Sequence, residues 1–217
     1  MMTESMTKSA PSQEKSAPRQ LRNICCYCGS AAGTDPLYDA AARIFGHSLA
    51  QAGIGLVYGG GNRGLMGVIA QAVIEHGGTV TGIIPAFLTE RDGLIEKAQE
   101  HVIVPDMHAR KKMMFERADA FVALPGGIGT LEELVEQLSW VQLGRHTKPV
   151  VIADIGGFWR PLLALFEHMR EHGFIQPSLE VRYLVAEKIE DVLPMIEVAL
   201  AKTQALGIAK ETLDSGL

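Results

Sequence analysis

The chain has 217 residues, enough for one sizeable hydrophobic core and short for two. Its 47% hydrophobic and 21% charged content is that of an ordinary soluble globular protein, and a net charge of −5 offers no basic field to nucleic acid. No apolar run approaches membrane-spanning length, so neither nucleic acid nor a membrane is expected as partner, while a site for a small phosphate would need only local positive charge.

Residues 1–20 are polar, rich in Ser, Pro and Lys, and have no apolar centre. They read as a flexible N-terminal tail and not as a signal peptide, which makes the cytoplasm the default location. Residues 22–28 form a first strand, with Gly29-Ser30 beginning the turn out of it. Cys25, Cys26 and Cys28 all fall on this strand. Period-two alternation puts Cys26 and Cys28 on one face and Cys25 on the other, a pattern of buried packing and not of ligands converging on a metal. Leu37, Ala40, Ala41, Ile44, Phe45, Ser48 and Leu49 repeat at helical spacing behind Asp35 as cap and Pro36 as first-turn proline. Gly53 closes that helix, and 54–58 is a second strand. The run Gly59-Gly60-Gly61-Asn62-Arg63-Gly64 follows, then a helix over about 65–76, a break at Gly77-Gly78 and a third strand at 79–84.

Residues 85–100 read as a mostly irregular segment, long enough to be a functional loop. A short strand at 101–104, a helix at 107–118 and a strand at 119–124 lead into Pro125-Gly126-Gly127-Ile128-Gly129-Thr130-Leu131-Glu132-Glu133. The periodic Leu131, Leu134, Val135, Leu138 and Val141 then mark a helix. A strand at 149–153, a helix near 158–172, a late strand near 182–185 and a helix near 189–202 complete the pattern. Strands alternating with helices imply an α/β fold: a Rossmann-like three-layer sandwich around a central parallel sheet. No repeat or linker divides the body, which reads as one domain over 21–205, followed by a polar C-terminal tail at 206–217.

Ligands of such sheets bind beyond the carboxyl ends of the strands, where three glycine-bearing turns fall. Gly59, Gly61 and Gly64 satisfy G-x-G-x-x-G. The motif follows the second strand and not the first, however, and Ile84 stands where a ribose-binding acid belongs, which argues against a dinucleotide site. Three consecutive glycines still imply that the backbone approaches something closely. At 125–133, Thr130 and Glu133 have the spacing of a capping box, in which each side chain satisfies the other's backbone donor. That does not account for Gly126, Gly127 and Gly129, which would cost backbone entropy if they only began a helix. A strand-to-helix junction rich in glycine lets backbone N–H groups close on an anion at the positive helix end, with an acid on the first turn within reach of it.

On the helix that begins at Met107, the stripe Met107, Met114 and Ala118 is flanked by Arg110 and Lys111. Two readings stand side by side: the cations extend their heads to solvent, or they meet a phosphate or a reacting sugar if the helix start faces the glycine turns. His168-Met169-Arg170-Glu171-His172 matches H-x-x-E-H. It ends an amphipathic helix just before Gly173, where histidine is favoured by the helix dipole, and no third ligand stands out, so no metal is expected.

Gly59-Gly60-Gly61-x-x-Gly64-Leu65-Met66-Gly67, Met107-His108-x-Arg110-Lys111 and Pro125-Gly126-Gly127-x-Gly129-Thr130-x-x-Glu133 resemble, in order and spacing, the Lonely Guy (LOG) family. Cys28-Gly29-Ser30 is similar to the family's first phosphate-side turn, and the likeness covers about residues 22–200. It implies a cytokinin riboside 5′-monophosphate phosphoribohydrolase: an enzyme that cleaves the N-glycosidic bond of a nucleoside 5′-monophosphate without metal or redox cofactor and works as a homodimer. Members often carry a lysine decarboxylase label, but nothing here marks a pyridoxal phosphate lysine with its partners. By the resemblance, Arg110 and Glu133 are the catalytic pair. Gly127, Gly129 and Thr130 hold the 5′-phosphate, with Gly29, Ser30, Gly60, Gly61 and Gly126 in the phosphate-side turns. Lys111, Glu132 and Ser139 contact substrate. Glu90 and Asp92 both stand where members carry a substrate-contacting glutamate, and Asn62-Arg63 replaces the family's small residues. A runner-up from another class is a carrier of a phosphorylated pterin, since molybdenum-cofactor carriers resemble this fold and its PGGxGT loop.

Overall fold

The computed structural model describes residues 21–93, 95, 98–176 and 181–214, the side chains of 91, 92 and 206–214 excepted. The expected N-terminal tail lies outside these residues. Seven strands run in one parallel sheet: β1 Asn23–Tyr27, β2 Gly55–Tyr58, β3 Val80–Pro85, β4 Glu100–Val104, β5 Ala120–Ala123, β6 Val150–Ala153 and β7 Leu184–Ala186. The helices between them are α1 Pro36–Gln51, α2 Gly64–Glu75, α3 Thr89–Asp92, α4 Met107–Arg117, α5 Ile128–Gln142, α6 Arg160–Glu171 and α7 Val192–Asp214. The predicted α/β sandwich is therefore the observed one. Short 3₁₀ turns extend it, and the one at Ala86–Leu88, with α3 after it, orders the first part of the segment read as irregular. Helix α7 continues past 205, where a polar tail was expected, to Asp214.

Strand order is β4-β3-β2-β1-β5-β6-β7. The chain winds outward in one direction from β1 through β4, then returns to the other side of β1 with β5. The order reverses between β1 and β5, so a crevice opens beyond their carboxyl ends. Gly29-Ser30 leaves β1 there and Pro125-Gly126-Gly127 leaves β5 (Tyr27 lies opposite Ala123 in the ladder).

The inner strands are apolar but for Asn23 and Thr81, because a parallel sheet is covered on both faces. Alternation divides their side chains as the cysteine pattern predicts. Cys26 and Cys28 join Leu56, Tyr58 and Val122 against α1, α2 and α7. Cys25 and Tyr27 join Val57, Phe121 and Ile152 against α4, α5 and α6. The second face carries both helices that bear the charged motif residues, α4 and α5.

Two starts follow the sequence: Asp35 Oδ1 accepts from the Leu37 N–H at 2.9 Å to cap α1, and Asp106 Oδ1 accepts from the Ala109 N–H at 2.8 Å to cap α4. Helix α5 does not. Its cap residue is Gly127, with extended φ −90° and ψ −160°, and no side chain caps it. Thr130 is then the third helical residue and Glu133 the sixth, so their capping-box reading is wrong. A capping box needs its threonine in extended backbone outside the helix, and Thr130 is inside it. The same shift moves Glu132 and Glu133 from the first turn of α5 to the second.

Candidate active site

The β1 and β5 turns are closed on each other. The Gly29 N–H donates to the Pro125 carbonyl at 3.0 Å. A Cβ on Gly126 would strike the Thr130 side chain and come within 2.9 Å of the Gly29 nitrogen, so glycine is required by packing at this seam. Gly127 and Gly129 differ, since a Cβ on either would meet nothing within 4 Å. They border open space at the N-terminus of α5, where the first backbone N–H groups of a helix have no intrahelical acceptor. Ser30 is exposed on the opposite side of the seam, and Thr130 is buried beneath it.

The glycines after β2 sit deeper. Gly60 and Gly61 are buried, and a Cβ on Gly60 (φ +79°) would lie 2.8 Å from the Ile84 Cβ. Gly64 (φ +57°) packs directly under the Ser30–Ala31 backbone. The close approach that three glycines imply is therefore, in large part, to the protein itself.

Arg110 on α4 and Glu133 on α5 meet above Cys25 and Tyr27. Only 8% of Arg110 and 7% of Glu133 is exposed, and Arg110 Nη2 stands 3.6 Å from Glu133 Oε1. Arg110 thus does not extend to solvent, one of the two readings its helical position allowed. Its other donors are poorly used. Nη1 faces the Met107 thioether at 3.8 Å, a weak acceptor, and Nε has no partner among the described residues. A buried guanidinium with strong donors to spare has the chemistry to bind oxygens of an anionic or hydroxylated ligand.

Burial pushes the Glu133 carboxyl up from an ordinary 4.5 to about 7, against the opposing pull of Arg110. Glu132 and Glu136 add to the rise and Lys111 counters it. Beneath the pair, burial and then the Glu133 charge raise Cys25. Burial, Cys25 and Glu133 raise Tyr27, so both groups are neutral at physiological pH and contribute no competing charge.

Lys111 is only 12% exposed, and its Nζ lies 2.5 Å from Glu132 Oε1 and 3.0 Å from Glu136 Oε1. Burial works against its charge, but the two carboxylates outweigh burial and hold its pKa above the usual lysine value. Lys111 and Glu132 are thereby tied to each other across the α4–α5 groove. Ser139 donates its hydroxyl to the Val135 carbonyl at 2.8 Å, within its own helix. The Asp92 side chain lies outside the described residues. Glu136 is absent from the sequence reading; its signal is the i, i+4 spacing from Glu132, which puts both acids on one face of α5. His168, Glu171 and His172 gather on the exposed end of α6 with ligand atoms within 4.8 Å of one another.

A family model described as "Possible lysine decarboxylase" matches residues 66–196. The chain is 43% identical over 190 residues to the "Probable cytokinin riboside 5'-monophosphate phosphoribohydrolase LOGL2" of Oryza sativa subsp. japonica, covering 84% of this chain and 78% of that one. It is 42% identical over 192 residues to the cytokinin riboside 5'-monophosphate phosphoribohydrolase LOG1 of Arabidopsis thaliana, covering 84% and 89%. Among solved structures, the molybdenum cofactor carrier protein of Chlamydomonas reinhardtii superposes with a TM-score of 0.64 at 21% identity, over 84% of this chain and 99% of that one. The molybdenum cofactor binding protein of Rippkaea orientalis does so with a TM-score of 0.61 at 20% identity, over 82% and 97%. Likeness at that identity establishes the shared fold and nothing of the ligand. Identity above 40% across the motif-bearing body is a different matter: the chain belongs to the Lonely Guy (LOG) family.

Proposed function

We propose that this protein hydrolyses the N-glycosidic bond of cytokinin riboside 5′-monophosphates, with AMP as a further substrate, to free base and ribose 5-phosphate. The observation that carries the reading is the buried Arg110–Glu133 pair beside the open glycine-bordered start of α5. The backbone around Gly127 and Gly129, with Thr130, receives the 5′-phosphate at the positive helix end. Gly29, Ser30 and Gly126 shape the adjoining turns, while Lys111, Glu132 and Ser139 contact substrate through the α4–α5 groove. Of the acids on α3, Asp92 is the one assigned to substrate.

As the C1′–N bond breaks, its electron pair leaves with the base and positive charge develops on the ribose. Ionised Glu133 stabilises that charge and orients the attacking water. The water oxygen bonds to C1′, one of its protons remains on the sugar hydroxyl, and the other balances the departing base. Arg110 clamps ribose or phosphate oxygens and fixes the geometry without changing its own charge.

The same reading takes residues 21–205 as one domain of a cytoplasmic homodimer that binds neither nucleic acid nor membrane. Exposed Ile128 and Val135, one heptad apart on α5, support a partner subunit. No helix of the described residues is long and apolar enough to cross a membrane. Incubation with AMP and with isopentenyladenosine monophosphate, followed by assay of free base, tests the activity. Base from either supports it; no base from both, with tight pterin binding, replaces it by the carrier function.

A further inference from the structure

Gly59, the residue that follows β2, is in no binding role above, and its glycine has an unusual cause. Its neighbours Gly60 and Gly64 take left-handed backbone that disfavours any side chain, but Gly59 does not. Conformation therefore does not require glycine at this position. Space does. A Cβ on Gly59 would collide with Arg110 Nη2 and lie 3.1 Å from both Arg110 Cζ and the Met66 Sδ.

We infer that Gly59 is a positioning residue for Arg110: its missing side chain is the slot that seats the guanidinium against Glu133. The other contacts of the guanidinium are weak or loose, a thioether at 3.8 Å and a carboxylate oxygen at 3.6 Å, so the shape of the slot decides where the charge sits. The first glycine of the β2 turn thus serves the reaction through a side chain of α4, and not by touching phosphate. The inference rests on the hydrolase reading only for its kinetic consequence; the slot itself is a packing statement.

The experiment compares Gly59→Ala, Arg110→Lys and the double variant, in kinetics on AMP and in thermal unfolding. Alanine at 59 displaces the guanidinium, and kcat falls by about 10²-fold, the scale of an approximately 1 Å misplacement at a reacting centre. Arg110 holds the Glu133 pKa down, so the acidic limb of the pH–rate profile moves to higher pH. Glu132, Glu136 and Lys111 around Glu133, and neutral Cys25 and Tyr27 beneath it, are unchanged. In the Arg110→Lys background the colliding Nη2 is gone, and Gly59→Ala costs less than about threefold more in kcat, as expected for residues acting as one unit. If Gly59→Ala alone does not fold, the double variant recovers a folded protein with a Tm near that of Arg110→Lys. Multiplicative losses, an unmoved acidic limb, or no recovery of folding in the double variant overturn the slot. If no variant and no wild-type protein releases base, the hydrolase reading fails, and coupling of the two substitutions in Tm still decides the slot on its own.

Discussion

Glu133→Gln separates the electrostatics of this site from its chemistry. The glutamine is close in shape to the protonated carboxyl, so an Arg110 without a charged partner is common to both states and cancels in the comparison. What remains is the cost of ionising a carboxyl whose pKa rises from 4.5 unfolded to about 7 folded. A folded pKa above the unfolded one means that the native state binds more protons between those values, so wild-type stability falls as pH rises through that window. At 1.36 kcal/mol per pKa unit, the wild type loses about 1 kcal/mol by about pH 5 and about 3 kcal/mol by about pH 8, and the variant loses none of it. Urea unfolding at the two pH values is the assay. The variant is expected to be the more stable protein, with a margin that grows by about 2 kcal/mol toward alkaline pH, at unchanged m-value. Activity moves the other way, with kcat/KM down by about 10²–10³ as for loss of one electrostatic stabiliser. Parallel stability curves across the window would refute the claim that burial outweighs Arg110 at Glu133. Near-full AMP hydrolysis by the variant would refute the catalytic assignment.

On the proposed role of Glu133, in which its ionised form stabilises the developing cation, wild-type kcat/KM is expected to rise with pH and level off above about 7; a profile flat down to about pH 5 contradicts it. Lys111→Met removes a cation that holds the Glu133 pKa down and leaves Glu132 and Glu136 facing each other. The acidic limb of the pH–rate profile then shifts upward. Asp154, 4% exposed, accepts from the Trp159 N–H at 2.6 Å before α6. Asp154→Ala costs about 1–3 kcal/mol in urea unfolding through that orphaned donor, with kcat on AMP unchanged.

Much of this architecture was legible because it rests on period and punctuation. The alternation of strands with helices predicts a covered parallel sheet, the period-two cysteines predict burial on its two faces, and Asp35-Pro36 announces α1 at the residue where it begins. The start of α5 is not legible from spacing, for a physical reason. Thr130 and Glu133 have the spacing of a cap, but spacing does not report backbone angles, and the extended residue is Gly127. The depth of Arg110 was equally hidden, since a cation beside an apolar stripe can face solvent or core. Which of these occurs depends on what lies opposite.

The sequence by itself therefore determined the parallel α/β sandwich and the glycine turns at its strand ends, and by resemblance it pointed to Arg110 and Glu133. Only the tertiary structure decided that strand order reverses between β1 and β5, that Arg110 and Glu133 are both buried and 3.6 Å apart, and that the missing side chain of Gly59 leaves room for the Arg110 guanidinium. Local pattern is fixed by neighbours along the chain. A carboxyl pKa near 7 and the slot for a guanidinium come instead from elements brought together by folding, Gly59 after β2, Arg110 on α4 and Glu133 on α5.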